Sequence, residues 1–81
     1  MKFNFQEGIK KIKKSVNVCP KGPGIYQFID KNNKVLYIGK AKKLSNRIRS
    51  YLNFNTQSNR IKKMIGLVDK VKFIKTHTEV D

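Results

Sequence analysis

Tyr26 and Tyr37 belong to two short tripeptides, Gly24-Ile25-Tyr26 and Tyr37-Ile38-Gly39, set either side of a turn, and Arg47 follows on a segment with helical spacing. Two phenols and a guanidinium are groups that phosphodiester hydrolysis can use. A phenol has an ordinary pKa near 10, so only about one in a thousand is ionised at neutral pH. Neighbouring cations such as Lys40 and Arg47 favour the ionised form and make it a more available base. Arginine also offers a rigid fork of donors to phosphate oxygens, where charge builds during in-line attack. These residues suggest a nuclease domain. The rival from composition alone is a basic module that binds nucleic acid and cuts nothing.

Whether the tyrosines meet depends on the elements that carry them. Residues 25–30 and 35–39 are rich in aromatic and β-branched types and read as strands. Asn32-Asn33 between them tolerates the positive φ of a two-residue hairpin turn. That turn pairs Lys31 with Lys34, which sets Phe28 opposite Tyr37 and Tyr26 opposite Gly39. The two tyrosines then become diagonal neighbours on one face, and a slip of one residue sends them to opposite faces. Leu44, Ile48 and Leu52 predict a helix over 42–52 packed on the sheet, with Arg47 and Tyr51 at one edge of its apolar stripe and Arg49 pointing away.

Upstream, Phe5, Ile9, Ile12 and Val16 predict an amphipathic helix over 4–16, with Lys10, Lys11, Lys13 and Lys14 mostly facing water. Pro20 to Gly24 breaks it. Asn53 to Asn59 reads as a polar loop, 60–69 as a further helix, and 71–76 as a third strand. Thr78 reads as the N-cap of another helix, with Glu79 and Asp81 in its first turn.

The chain has 81 residues, with 19 Lys plus Arg against 5 Asp plus Glu and a formal charge of +14. Such an excess implies a polyanionic partner, nucleic acid ahead of a membrane surface. The single cysteine, Cys19, excludes an internal disulfide and any thiol-built metal site, and reads as a structurally idle thiol. Nothing approaches a membrane span or a signal peptide, so a cytoplasmic location is the default expectation. His77, Asp30 and Asp69 read as solvent-facing, a turn neighbour and a solvated helix residue.

The pattern Gly24-Ile25-Tyr26, ten residues, Tyr37-Ile38-Gly39-Lys40-Ala41-Lys42, then Leu44, Arg47, Ser50 and Tyr51, resembles the GIY-YIG endonuclease superfamily. The run YIGKAKKLSNRIRSYL over 37–52 is similar to the N-terminal domain of the UvrC family of bacterial nucleotide excision repair. The resemblance implies an α/β (α+β) fold, a small mixed three-stranded sheet flanked by helices. Residues 1–19 would be an amphipathic helix and lead-in, and 20–81 the nuclease domain, incomplete at its C-terminus. It further implies metal-dependent incision of damaged double-stranded DNA on the 3′ side of the lesion, with Mg2+ or Mn2+ as the divalent cation. Lesion-recognition and loading proteins of the UvrABC system would be the partners.

Site roles follow from the same resemblance. Tyr37 matches the tyrosine that activates water, Tyr26 its hydrogen-bonded partner, and Arg47 the arginine beside the scissile phosphate. Lys40 and Tyr51 match the remaining catalytic positions. The family's metal-binding glutamate would lie past Asp81, which leaves no metal ligand here and predicts an inactive or nearly inactive fragment. DNA-backbone contacts are expected from Lys42, Lys43, Arg49, Arg60, Lys62 and Lys63. Two alternatives remain: a non-catalytic nucleic-acid-binding domain, and a homing or restriction nuclease of the same superfamily.

Overall fold

Apolar residues spaced by three and four fold Phe5–Val16 into helix α1, which buries Gly8, Ile12 and Ser15 and leaves its lysines outward. The structure is a computed structural model and describes residues 5–76, so the expectations for His77 and the helix from Thr78 lie outside the described residues. Strands β1 (Gly24–Ile29) and β2 (Val35–Ala41) form the hairpin, and α2 (Leu44–Ser50) follows. A single 3₁₀ turn at Phe54–Thr56 leads to α3 (Asn59–Leu67) and β3 (Lys70–Lys75). Among the described residues no helix is long and apolar enough to cross a membrane.

The sheet order is β2-β1-β3, and β1 pairs antiparallel with both neighbours. The expected mixed sheet is therefore corrected: β2 and β3 run the same way but β1 lies between them. Topology explains this. β2 ends beside Gly24, and α2 with α3 carries the chain back to the Ile29 end, where β3 starts opposite Ile29 and fills the free edge of β1.

The hairpin reaches its expected register by an unexpected route. Its turn spans Asp30 to Lys34: the Asn33 amide donates to the Asp30 carbonyl at 3.1 Å, the Asp30 amide to the Lys34 carbonyl at 2.9 Å, and Asn33 has φ 65°. The Asp30 carboxylate accepts from the amides of Asn32 and Lys34 at 2.8 and 2.9 Å, the local capping that makes Asp a turn residue. Three residues thus form the loop instead of two, and Ile29 pairs with Val35. A bulge between Phe28 and Ile29 then adds one residue on β2. The two departures cancel, so Phe28 still faces Tyr37 and Tyr26 still faces Gly39.

One face of the sheet carries the core. Tyr26 and Phe28 pack with Ile12 of α1, Leu44 and Ile48 of α2, Tyr51, and Ile65 of α3. Each fully buried apolar side chain of this kind stabilises the fold by about 1.5–3 kcal/mol relative to exposure. Gly8 sits where a Cβ would run into the carbonyl of Ile65, so α1 and α3 meet backbone against backbone. The Lys11 ammonium pairs with the Asp69 carboxylate at 2.7 Å, tying α1 to the start of β3. Neither is the solvated group the sequence suggested, because α1 lies across that end of the sheet. The other sheet face carries Ile25, Ile38 and Ile74, the last two 57% and 49% exposed.

Candidate active site

Register and glycine together place the first tyrosine. Tyr26 lies opposite Gly39, and a Cβ on residue 39 would run into the Tyr26 ring and hydroxyl, with ring atom Cε1 at 2.6 Å. Gly39 therefore serves as the floor under Tyr26, whereas the bulge lies farther along the strand. Gly24 allows a similar approach, since a Cβ there would stand 2.6 Å from the carbonyl oxygen of Ile74. Tyr37, diagonal to Tyr26 on the same face, has its ring centroid 6.1 Å from that of Tyr26.

Helix α2 supplies the other half. Arg47 and Tyr51 stand four residues apart, one turn, so both reach the same side. The hydroxyls of Tyr26 and Tyr51 share a hydrogen bond at 2.8 Å, and Arg47 Nε donates to the Tyr26 hydroxyl at 3.3 Å. The Arg47 guanidinium also lies 5.6 Å from the centroid of the Tyr51 ring, a cation–π distance. Ser50 Oγ donates to the Arg47 carbonyl at 2.6 Å, and Gln57 Nε2 donates to the Ser50 carbonyl at 3.0 Å, which fixes the end of α2.

Burial divides the three tyrosines into two enclosed and one accessible. Tyr26 is 1% exposed and Tyr51 4%, while Tyr37 is 38% exposed. Burial, then the hydrogen bond with Tyr26, pushes the Tyr51 phenol well above its ordinary range, so it stays protonated at any physiological pH. The hydrogen bond to Tyr26 raises the Arg47 guanidinium further, keeping it charged. The result is a rigid phenol–phenol–guanidinium network under an accessible third phenol. A shallow groove beside it is lined by Lys40, Lys42, Lys43, Asn46, Arg47 and Ser50.

The family model described as the UvrC-like GIY-YIG domain matches residues 22–81. The chain belongs to that family. Relatives of this GIY-YIG domain include the UvrABC system protein C of Bartonella henselae, 40% identical over 78 residues, covering 96% of this chain and 12% of the relative. The corresponding protein of Christiangramia forsetii is 44% identical over 66 residues, 82% of this chain and 11% of that protein. The domain thus spans about an eighth of the length of the curated relatives it matches.

Among solved structures, it superposes on the GIY-YIG N-terminal endonuclease domain of UvrC from Thermotoga maritima. The TM-score is 0.73 at 38% identity, covering 86% of this chain and 74% of that one, and that crystal structure is of a point mutant bound to its catalytic divalent cation. A second structure of the same domain holds magnesium, and the match covers 86% of this chain and 75% of that one with the same TM-score and identity.

Of the residues expected to be catalytic, the GIY-YIG domain brings Tyr26, Tyr37, Arg47 and Tyr51 together, while Lys40 stands at the groove rim. Strand alternation sets Lys40 with Ile25 on the opposite sheet face from Tyr37. Lys42 and Lys43 lie in the short connection into α2 and line the groove with Arg47. Arg49 points elsewhere, toward half-buried Cys19, whose thiol is raised by burial and lowered by that charge. Arg60, Lys62 and Lys63 are on α3, where the Lys62 ammonium lies 5.3 Å from the Phe54 ring centroid.

The described residues do not form a divalent-cation site on their own. No three His, Cys, Asp or Glu side chains converge among them. Their three carboxylates are Glu7 on α1, Asp30 in the hairpin turn, and Asp69 paired with Lys11. Sequence reasoning also missed Asn46 in the groove and the Ser50–Gln57 brace. The interval of three from the N-cap Lys43 to Asn46 carried the signal for the first, while the brace crosses a loop and left none.

Proposed function

We propose that this chain is the phosphodiester-hydrolysing domain of a UvrC-like protein, making the 3′ incision at damaged duplex DNA in nucleotide excision repair. The observation that carries this reading is the buried Tyr26–Tyr51–Arg47 network beneath an accessible Tyr37 at the mouth of a basic groove. An ordinary packed tyrosine pair needs no guanidinium bonded to one hydroxyl and laid over the other ring, and no cationic groove beside it.

In this reading Arg47 holds a scissile phosphate by its terminal amino groups while Nε remains on Tyr26. Charge building on the phosphate oxygens meets a cation already fixed in place, and such preorganisation lowers the barrier. Tyr37 is the tyrosine that solvent reaches, so it orients the attacking water and takes its proton. Tyr51 stays a neutral phenol that holds Tyr26, and Tyr26 aligns Arg47. Lys40, Lys42 and Lys43 hold the flanking backbone, with Arg49, Arg60, Lys62 and Lys63 as outer contacts that add affinity without reading sequence.

A divalent cation, Mg2+ or Mn2+, belongs to the same reading, and its ligands come from outside residues 5–76. The partners are the UvrABC lesion-recognition and loading proteins, which supply the damage specificity, and the location is the cytoplasm. The test is 3′ incision of a lesion-bearing duplex by the intact protein with its loading partners and magnesium. Tyr37→Phe and Arg47→Ala abolish cutting, while Tyr37→Phe leaves duplex affinity within about twofold. Unchanged cutting in Tyr37→Phe overturns the assignment, and duplex binding with no cutting in the wild type favours a non-catalytic basic domain.

A further inference from the structure

A second basic concavity lies at the far corner of the sheet from the tyrosines. The tyrosine groove opens where β2 runs into α2, beside the Gly24–Ala41 pair. The other is a cleft of about 950 Å³ between α1 and the start of β3, beside the Ile29–Lys70 pair. Sequence reading gave the α1 lysines to solvent. The structure gives them a shared direction.

Lys10, Lys13 and Lys14, with Asn17 beyond them, follow intervals of three and four along α1, and all line this cleft. The buried stripe of Ile12 and Ser15, the close approach of Gly8 to Ile65, and the Lys11–Asp69 pair hold the helix at a fixed angle. Lys11 and Asp69 neutralise each other. Among the described residues, Lys10, Lys13, Lys14 and Lys70 then stand against Glu7 alone, which leaves three uncompensated positive charges lining the cleft. Among the described residues no hydrogen bond or ion pair engages the ammonium groups of Lys10, Lys13 or Lys14.

Compensation of the helix dipole accounts for Lys13 and Lys14, which sit in the last turn, but not for Lys10 or Lys70. Lys10 to Lys14 spans about 6 Å of helix, and about 6 Å of duplex axis carries three to four phosphate charges. Charge density, concavity and rigidity therefore match a nucleic-acid backbone.

We propose that the α1–β3 cleft is a second phosphodiester-binding site, which holds duplex DNA at a stretch away from the one lying under Arg47. Its contribution is affinity and orientation, independent of any cleavage, so it stands or falls separately from the nuclease reading.

The test is fluorescence-anisotropy titration of a short labelled duplex with the 81-residue chain at several salt concentrations. Lys10→Gln, Lys13→Gln and Lys14→Gln are combined in one variant. A control combines Lys34→Gln, Lys72→Gln and Lys75→Gln, which remove equal charge from exposed positions lining neither groove. Three lost phosphate contacts reduce the salt slope by about 2.7, so the wild type loses about 40-fold more affinity than the α1 variant between about 50 and 200 mM salt. The control keeps nearly the wild-type slope.

Equal losses in the two variants mean that net charge alone drives binding, and overturn the proposal. Amide shifts of the unmodified chain provide a readout that needs no variant to fold. Duplex addition moves the amides of residues 10–17 and 70–71 as well as those of 40–50. Shifts confined to 40–50 overturn the proposal, as do α1 shifts that anionic vesicles produce and duplex DNA does not.

Discussion

Gly39→Ala adds a single methyl group at the floor of the tyrosine site, and the structure gives its cost. The new Cβ would stand 2.6 Å from Tyr26 Cε1 and closer still to the ring end that bears the hydroxyl. Carbon atoms settle about 3.5–4 Å apart, so the ring must retreat by about 1 Å. Tyr26 is fully enclosed, and its hydroxyl is held at 2.8 Å from Tyr51 and 3.3 Å from Arg47 Nε. A retreat of that size carries at least one of these beyond hydrogen-bonding range. Overpacking costs about 1–3 kcal/mol, and a lost buried hydrogen bond adds about 1 kcal/mol. The expected destabilisation is about 2–4 kcal/mol, read as a lower urea midpoint at unchanged slope. Incision by the intact protein should fall by about 100-fold, the usual effect of a 1 Å displacement at a reacting centre. A Gly39→Ala chain within about 0.5 kcal/mol of the wild type, with its Tyr26 ring resonances unmoved, refutes the reasoning.

Gly8→Ala trades a gain of about 1 kcal/mol in helix propensity against a collision with the Ile65 carbonyl, and thermal melts should show net destabilisation of α1 packing. Tyr51→Phe keeps the ring under Arg47 but removes the hydroxyl that holds Tyr26. Incision should drop while duplex affinity changes little, and the lost buried hydrogen bond should lower stability by about 1 kcal/mol. The Asp69 carboxyl is held below its ordinary range, first by its hydrogen bond from Lys11, so the stability it adds is present at neutral pH and is lost as pH falls through that lowered value. Asp69→Asn should therefore melt below the wild type at pH 7, with the gap starting to close as pH falls past the unfolded-state pKa near 3.9 and vanishing once pH is below the lowered folded-state value. A gap that persists in acid shows that the pair acts through shape and not charge.

How far the sequence revealed this site depended on how local each interaction is. Tyr26, Tyr37 and Gly39 were legible because strand alternation and a short turn fix which residues face each other within one hairpin. Arg47 and Tyr51 were legible because helical geometry sets them one turn apart. The strand order was harder, since the antiparallel placement of β3 depends on two helices returning the chain to the Ile29 end. The Lys11–Asp69 pair joins residues 58 positions apart, and no local pattern announces it. The reason for a glycine at 39 is the Tyr26 side chain that crosses it, which hairpin alternation alone does not reveal. The Ser58 hydroxyl accepting from the Ile61 amide at 3.2 Å caps α3 and shows how a local signal is overlooked when its surroundings read as a featureless polar loop.

The hairpin's three-residue turn and its single bulge have a consequence for parity. Which face a strand residue occupies is an even-or-odd property of the count from the turn, and here the bulge restores what the turn displaces. The tyrosine face is thus held by the Tyr26–Gly39 contact and insulated from the tip, where Lys31, Asn32 and Asn33 are exposed. Extra residues inserted at Asn32 lengthen the tip without inverting the site. A fluorophore or spin label placed there can follow an approaching duplex while the tyrosine geometry stays in register.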